Sequence, residues 1–298
     1  SDASARRGRP SVGAPAGPAA PAARTTTTGA TTTRSTGTSA WLDLSTTDTA
    51  RTVQFYGGVF GWQFEDLGEG FGHDHLIRSG GALVGGLMNV AGMTGPAGDA
   101  LPPEWGVYLS IDDADARTAR AQEAGAAVIV PPDAISETGR MAIIQDPTGA
   151  GIGLWQAGTL DGYEFTGRPG SPVWFELMTH RYDDAAAFYT AVFDAELVPM
   201  GEEMDEGEDD FRYATNGSGE SASWGLCDAA GMMPEEAMGW RVYFGVESTE
   251  QALAKVRELG GSVLDGPIDS PFGRITTIAD PEGASFQISA MSEATTEG

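Results

Sequence analysis

The sequence predicts an α+β protein made of two tandem domains, and three observations support that prediction. Two similar segments, Trp41-Leu-Asp-Leu-Ser-Thr and Trp174-Phe-Glu-Leu-Met-Thr, stand 133 residues apart, and each is followed by Phe-Tyr and then Val-Phe. Short runs of strand-like alternation and stretches with helical spacing follow each other in the same order in both halves. The chain has 298 residues and 41% hydrophobic content, which is enough for two domains with a core in each.

Each half is predicted to contain two βαβββ units. In the first unit a strand covers 40–46, and Thr47 or Asp48 caps a helix that runs to about Phe60. Three strands follow, from Trp62, over 73–78 and over 82–89. The second unit has a strand over 106–112, a helix over 113–124 that Gly125 ends, and strands over 127–130, 139–145 and 151–156.

The second half repeats the signals of the first. Ser248-Thr-Glu-Gln251 is a capping box that opens its second helix, and Gly260-Gly261 ends that helix. Asp280-Pro-Glu-Gly283 repeats the turn Asp146-Pro-Thr-Gly149, in which proline and glycine preset the backbone. The predicted organisation is an arm over 1–39, domains over 40–157 and 172–291 joined by a linker over 158–171, and a tail over 292–298.

Composition limits both the fold and the partners. The arm is rich in Ala, Pro, Gly and Thr, so it is expected to be disordered. Glu202 to Asp210 holds seven acids in nine residues without calcium-loop spacing, which predicts a solvated loop or a lid that attracts cations. The net charge of −26 argues against binding to nucleic acid or to an anionic membrane.

Cysteine content and hydropathy favour a cytoplasmic protein. Cys227 is the only cysteine, so no intrachain disulfide can form, and a reducing compartment is expected. No run approaches the roughly 18–20 apolar residues of a membrane span. No apolar segment follows the arginines near the start, so no secretory signal is expected there. A monomer or a homodimer is expected.

The order of elements resembles the vicinal oxygen chelate superfamily, the group of glyoxalases, bleomycin-resistance proteins and extradiol dioxygenases. The resemblance rests on a strand, a helix that contains Phe-Tyr, three more strands, and a second such unit ending in Asp-Pro-x-Gly. It covers about 40–157 and again 172–291. It implies that the two units of each domain pair into a cupped mixed sheet around a cavity, so the chain is similar to a tandem two-domain member.

The resemblance also implies where a metal would be bound, and this sequence departs from the pattern there. Family enzymes hold a divalent metal at the start of the first strand, on the fifth strand and after the Asp-Pro-x-Gly turn. These positions carry residues that are mostly unable to ligate a metal, namely Trp41, Gly106 and Gly153 in the first domain and Trp174, Arg241 and Gln287 in the second. We therefore expect no metal and no other cofactor.

The histidines offer no convincing substitute. His73 and His75 would share one face of a strand, but that strand lies away from the family site, so a solvated hairpin face is the preferred interpretation. His180 follows the first strand of the second domain, where a surface or capping role is expected.

The cup-facing residues follow from strand alternation once the family fold is assumed. In the second cup we expect Glu176, Arg241 and Tyr243 to be catalytic, with Trp174, Gln287, Ser289 and Trp224 binding substrate. In the first cup we expect substrate contacts from Trp41, Asp43, Tyr108 and Trp155. Two plainer interpretations stay open: Glu176 and Arg241 form a structural ion pair, and the tryptophans belong to the core.

Two functional classes follow from these expectations. The first is a metal-independent enzyme of secondary metabolism that acts on an aromatic or polyketide-like small molecule by isomerisation, cyclisation, elimination or hydration. Glu176 would be its base. The second is a protein that sequesters a drug or metabolite, as bleomycin-resistance members do. A purely structural interaction protein is a third, weaker alternative.

Overall fold

The computed structural model describes residues 34–200, 212–270 and 272–294. The acidic run Glu202–Asp210, most of the predicted arm and the end of the tail lie outside the described residues. The described chain forms two eight-stranded sheets and four α-helices. None of the described helices is long and apolar enough to cross a membrane.

The first sheet is built from residues 39–157. Its strands are β1 Ser39–Thr46, β2 Gln63–Asp66, β3 His75–Ser79, β4 Ala82–Asn89, β5 Trp105–Ser110, β6 Ala127–Ile135, β7 Gly139–Gln145 and β8 Gly151–Ala157. Helix α1 spans Thr49–Phe60 and helix α2 spans Ala114–Glu123.

The second sheet is built from residues 172–290. Its strands are β9 Pro172–Thr179, β10 Leu197–Pro199, β11 Tyr213–Asn216, β12 Trp224–Asp228, β13 Gly239–Gly245, β14 Ser262–Ser270, β15 Gly273–Ala279 and β16 Ser285–Ala290. Helix α3 spans Tyr182–Phe193 and helix α4 spans Thr249–Glu258.

The two sheets have the same topology. Their strand orders are β2-β3-β4-β1-β5-β8-β7-β6 and β10-β11-β12-β9-β13-β16-β15-β14. In each sheet the first and fifth strands pair antiparallel at the centre and join two βαβββ units. The predicted fold class, two tandem domains of two βαβββ units each, is therefore confirmed.

Local chemistry sets the helix boundaries. Asp48, Asp113 and Ser248 cap α1, α2 and α4 by accepting a hydrogen bond from a backbone N–H three residues on. Helix α1 ends at Gly61 and α3 at Asp194, both in the left-handed conformation.

Two local expectations differ from the structure. The strand expected over 127–130 continues to Ile135 through Pro131-Pro132, because β6 lies at the sheet edge and is bulged there, where missing N–H donors are tolerated. His73 stands before β3 with φ of 60°, so it does not alternate with His75 along a strand.

The helix-bearing faces of the two sheets meet in one shared core. Leu42 and Leu44 of β1 share this core with Phe175 and Leu177 of β9. Helix α1 packs against α4 and α2 packs against α3, so every helix contacts one from the other domain. Each sheet has a second face, which points away from the shared core. We call this face the first cup on the β1–β8 sheet and the second cup on the β9–β16 sheet.

Candidate functional site

Because side chains alternate along a strand, one carboxylate faces each cup. Because Leu42 and Leu44 enter the shared core, Trp41 and Asp43 face the first cup. In the same way Phe175 and Leu177 enter the core, and Trp174 and Glu176 face the second cup.

In the first cup, Asp43 pairs with a tyrosine from the neighbouring strand. The hydroxyl of Tyr108 donates to Oδ2 of Asp43 at 2.8 Å. The antiparallel register of β1 and β5 places Trp41 opposite Tyr108 and Asp43 opposite Gly106. A Cβ on Gly106 would lie 2.7 Å from Oδ1 of Asp43, so the glycine allows that oxygen to lie close against β5.

The second cup repeats this pair at the equivalent position. The register of β9 and β13 places Trp174 opposite Tyr243 and Glu176 opposite Arg241. The hydroxyl of Tyr243 donates to Oε1 of Glu176 at 2.7 Å. A second phenol, Tyr213 on β11, donates to Oε2 at 2.7 Å and accepts from Nε1 of Trp174 at 3.0 Å.

The surroundings of the two carboxylates differ in charge. Arg241 stands where the first cup has Gly106, so Glu176 has a cation nearby and Asp43 has none at that position. When the two sheets are matched by their strand registers, Asp74, just before β3, takes the position that Tyr213 has in the second domain. An acid therefore replaces a hydrogen-bond donor beside Asp43.

Burial raises the pKa of both carboxylates. Loss of solvent raises the pKa of Asp43 to about 6; the Tyr108 hydrogen bond opposes this rise, and Asp74 and Glu104 add to it. Burial also raises the pKa of Glu176, against the effects of Arg241 and the two phenols. The pKa values of Tyr108 and Tyr243 lie well above the usual value for a phenol, chiefly through burial, so both tyrosines stay protonated and donate.

The two cups also differ in accessibility. Along β1 buried residues alternate with half-buried ones, and Trp41 and Asp43 are half-buried. Every residue of β9 is buried, and Glu176 has no exposed surface. Both oxygens of Glu176 accept hydrogen bonds, whereas the bond from Tyr108 reaches only Oδ2 of Asp43. Asp43 is therefore the carboxylate that a ligand can reach in this arrangement.

The other expected contacts fall on the cup faces with one exception. Gln287 and Ser289 lie on the cup face of β16, since Phe286 and Ile288 enter the core. Gln287 is 2% exposed, and its Oε1 has no hydrogen-bond partner among the described residues. Trp155 packs with Tyr108 in the first cup, and its Nε1 donates to the carbonyl of Leu160 at 3.0 Å.

The expectation that Trp224 lines the second cup is wrong. Gly225 pairs with Glu176 and takes the cup-facing position on β12, so Trp224 points the other way into the shared core. Its ring packs edge-on against Tyr189 and Trp240, and its Nε1 donates to the carbonyl of Gly37 at 2.8 Å. Trp224 is a packing residue.

The alternative of a direct Glu176–Arg241 ion pair is also not what the structure shows. No described carboxylate lies within 4.0 Å of the Arg241 guanidinium, which instead donates to Sδ of Met233 at 3.4 Å. The attraction between Arg241 and Glu176 acts over a longer distance. The phenols, which sequence reasoning did not connect to one another, occupy the carboxylate oxygens.

The donor set of neither cup fits a divalent metal. Among the described ranges, no group of three or more His, Cys, Asp or Glu side chains is placed to hold one. In the second cup both Glu176 oxygens are occupied by phenols, and a guanidinium stands at the facing position. The histidines have other partners: Nδ1 of His73 lies 3.1 Å from Asp66, and Nε2 of His180 lies 2.9 Å from the carbonyl of Met233.

Comparison with known proteins places the chain in a family. The family model described as Glyoxalase/Bleomycin resistance protein/Dioxygenase superfamily matches residues 38–154 and 171–288. The chain therefore belongs to this superfamily and carries its domain twice.

Its relatives include two proteins of Streptomyces. The chain is 34% identical over 267 residues to the anthracycline biosynthesis protein DauV of Streptomyces sp. (strain C5), covering 87% of this chain and 94% of DauV. It is 34% identical over 266 residues to the anthracycline biosynthesis protein DnrV of Streptomyces peucetius, covering 86% and 94%. The 2,3-dioxygenase LapB of Pseudomonas sp. KL28 shares the fold with a TM-score of 0.56 at 16% identity, covering 85% of this chain and 92% of LapB.

Proposed function

We propose that the protein is a metal-independent enzyme of secondary metabolism that acts on an aromatic or polyketide-like small molecule by acid–base chemistry. The reaction class is isomerisation, cyclisation or elimination, in which a proton is removed from one ligand atom and returned to another. The observation that carries the proposal is the carboxylate–tyrosine pair on the cup faces, which occurs at the same place in both domains.

The first cup offers the better proton acceptor. Asp43 has a pKa near 6, so at pH 7 it is mostly ionised yet basic enough to take a proton from a C–H bond next to a ligand carbonyl. Tyr108 holds Oδ2, which leaves Oδ1 as the oxygen for a ligand. After abstraction Asp43 carries the proton as a neutral acid, which it returns to another atom of the ligand.

The second cup would hold polar groups of a ligand. Glu176, the base expected from the sequence, has no exposed surface, and its two oxygens accept hydrogen bonds from Tyr213 and Tyr243. Arg241 keeps donors for a ligand oxygen, and the unpartnered Oε1 of Gln287 accepts from a ligand hydroxyl. In this proposal Glu176 orients the phenols rather than reacting.

An aromatic ligand suits the first cup. The ring of Trp41 is half-buried and lies over Gly86, where a Cβ would sit 3.5 Å from Cζ2. The exposed part of this indole is available for stacking against a planar ligand. The names of the Streptomyces relatives, which refer to anthracycline biosynthesis, support a polycyclic aromatic polyketide as the ligand class.

A second candidate, a protein that sequesters a drug or metabolite, is favoured by the charge of the first cup. Asp43, Asp74 and Glu104 lie close enough together to raise the pKa of Asp43, and such a cup suits an aromatic ligand that carries a cation.

Binding and turnover measured together separate the two functions. Wild type and Asp43→Asn are titrated with hydroxyanthraquinones, with and without an amino group, and are then assayed for conversion of the same compounds. The enzyme proposal expects turnover in wild type that Asp43→Asn loses while binding is retained. Tight binding that depends on the amino group, with no turnover in wild type, would support sequestration instead.

A further inference from the structure

The two helix pairs that join the domains are related by the internal repeat, yet they differ at one place. The cap residues give the correspondence: Asp113 of α2 matches Ser248 of α4, and Gly61 after α1 matches Asp194 after α3. One pair is α2 with α3, and the other is α4 with α1.

At the first pair, a guanidinium of the chain itself fills the junction. Arg117 of α2 is buried, with 8% of its side chain exposed. Its Nη1 donates to the carbonyl of Val192 in the last turn of α3 at 3.1 Å, and its two Nη atoms donate to Asp194 at 2.9 and 2.8 Å. Its Nε donates to Asp112 at 2.9 Å. The planar fork of the guanidinium thus satisfies a helix end and two carboxylates.

At the second pair, the place of this guanidinium is empty space. Ala252 stands where the first pair has Arg117, and Gly61 stands where it has Asp194. A cavity of about 530 Å³ that is open to solvent lies there, and residues lining it include Val59, Phe60, Pro169, Glu247, Ala252 and Lys255. Val59 and Glu247 are the counterparts of Val192 and Asp112, so two of the three groups that hold Arg117 are retained.

The charges of the cavity favour a cation. Val59 is in the last turn of α1, where carbonyls lack intrahelical donors and the helix end is electronegative. Glu247 has no ion pair within 4.0 Å among the described residues. Lys255 also lines the cavity, but its Nζ pairs with Glu258 at 3.3 Å.

We propose that this cavity is a binding site for a small molecule that carries a guanidinium group. The group occupies the place that Arg117 occupies in the other helix pair, donating to the carbonyl of Val59 and to the carboxylate of Glu247. The site is separate from both cups, because it lies between the helices on the opposite side of the sheets.

The test uses agmatine as the probe and cadaverine, a diamine of similar length and equal charge that lacks a guanidinium group, as the control. Binding to the whole protein is measured by calorimetry or ligand-detected NMR. We expect saturable agmatine binding, about fivefold tighter than that of cadaverine because only the planar fork can reach both acceptors. Glu247→Gln should weaken it about tenfold. No saturable binding, or equal binding of the two probes, would overturn the proposal.

A double variant tests the location. Ala252→Arg with Gly61→Asp copies the Arg117–Asp194 pair into the cavity and should abolish agmatine binding while the protein stays folded by circular dichroism. Ala119→Arg adds the same charge at an exposed position of α2 and should leave binding unchanged. Binding that survives the double variant, or that Ala119→Arg removes equally, contradicts the assignment. If the double variant does not fold, Glu247→Gln alone decides. Asp43→Asn should bind agmatine normally, so the outcome is separate from that of the proposed function.

Discussion

The hydroxyl of Tyr56 in the first domain donates to Oδ2 of Asp280 in the second at 2.9 Å, deep in the shared core. The reciprocal bond joins Tyr189 to Asp146 at 2.7 Å. The Phe-Tyr and Asp-Pro-x-Gly motifs of the sequence therefore meet across the domain boundary. Oδ1 of each aspartate accepts backbone N–H groups of its own turn, so one carboxylate organises a turn and binds the other domain.

Removing either hydroxyl should destabilise the protein. Tyr56→Phe or Tyr189→Phe leaves a buried carboxylate oxygen without its donor, which costs about 1–3 kcal/mol in the free energy of unfolding. Urea unfolding measures the change. Tyr182→Phe is the matched control, because the Tyr182 hydroxyl forms no hydrogen bond to a carboxylate of the described residues and its ring keeps the Arg212 contact. Equal losses in all three variants would contradict the inter-domain role.

The free energy of unfolding should depend on pH because of Asp43. The folded pKa of about 6 lies above the reference value of 3.8, so between these values the folded chain binds more protons than the unfolded one. Stability from this group is thus full below pH 4 and is lost as pH rises to about 6. We expect a loss of about 1–2 kcal/mol, discounted because Asp43 is half-buried.

The difference between wild type and Asp43→Asn isolates this effect from that of the other carboxylates. Urea unfolding of both proteins from pH 4 to pH 7 should show wild type losing stability relative to the variant. A difference that does not change over this range would show that the pKa of Asp43 is not raised.

Trp41 and Trp224 should respond differently to the same substitution. Trp41→Phe removes half of a ligand platform, and we expect about threefold to tenfold weaker binding of a hydroxyanthraquinone with little change in stability. Trp224→Phe should leave that affinity unchanged but lower stability by about 1–3 kcal/mol, because the buried core loses volume and the carbonyl of Gly37 keeps only its bond from Asn216. Fluorescence titration and urea unfolding give the two readouts, and the reverse pattern would contradict the assignment of the cup face.

Divalent metals should neither stabilise nor activate the protein. Neither cup supplies a suitable set of ligands among the described residues, so Mn²⁺, Zn²⁺ or Fe²⁺ at a few equivalents should not shift Tm, since a ligand stabilises only when it binds the folded state. Chelator-treated and untreated protein should show equal turnover. A metal-dependent rise in Tm that is lost in Asp43→Asn or Glu176→Gln would contradict this expectation.

The repeat predicted two similar domains, and the family resemblance together with strand alternation predicted the cupped sheets and the cup-facing positions of the first and fifth strands. The sequence did not predict contacts between cup residues whose partners are distant along the chain. Tyr213 lies 37 residues beyond Glu176, and the preceding segment differs in length from its counterpart, which hid its equivalence with Asp74. Trp224 was assigned to the wrong face because the register of β12 against β9 cannot be known before the strands are paired.

Sequence reasoning also chose the less accessible carboxylate. Glu176 and Asp43 stand at equivalent positions, and Glu176 was predicted to be the base because Arg241 faces it in the second cup. Which carboxylate is covered depends on how side chains from several strands pack around it, and a period of two along one strand carries no such information.

Proton exchange at a ligand carbon tests the central claim most directly. Metal-stripped protein is incubated in D₂O with a polyketide-type ketone fused to an anthraquinone, and deuterium incorporation next to the carbonyl is followed by NMR. We expect catalysed exchange in wild type and Glu176→Gln, and a loss of about 100-fold or more in Asp43→Asn with ligand binding retained. Exchange that Asp43→Asn leaves intact, or that appears only when a divalent metal is added, would contradict the account.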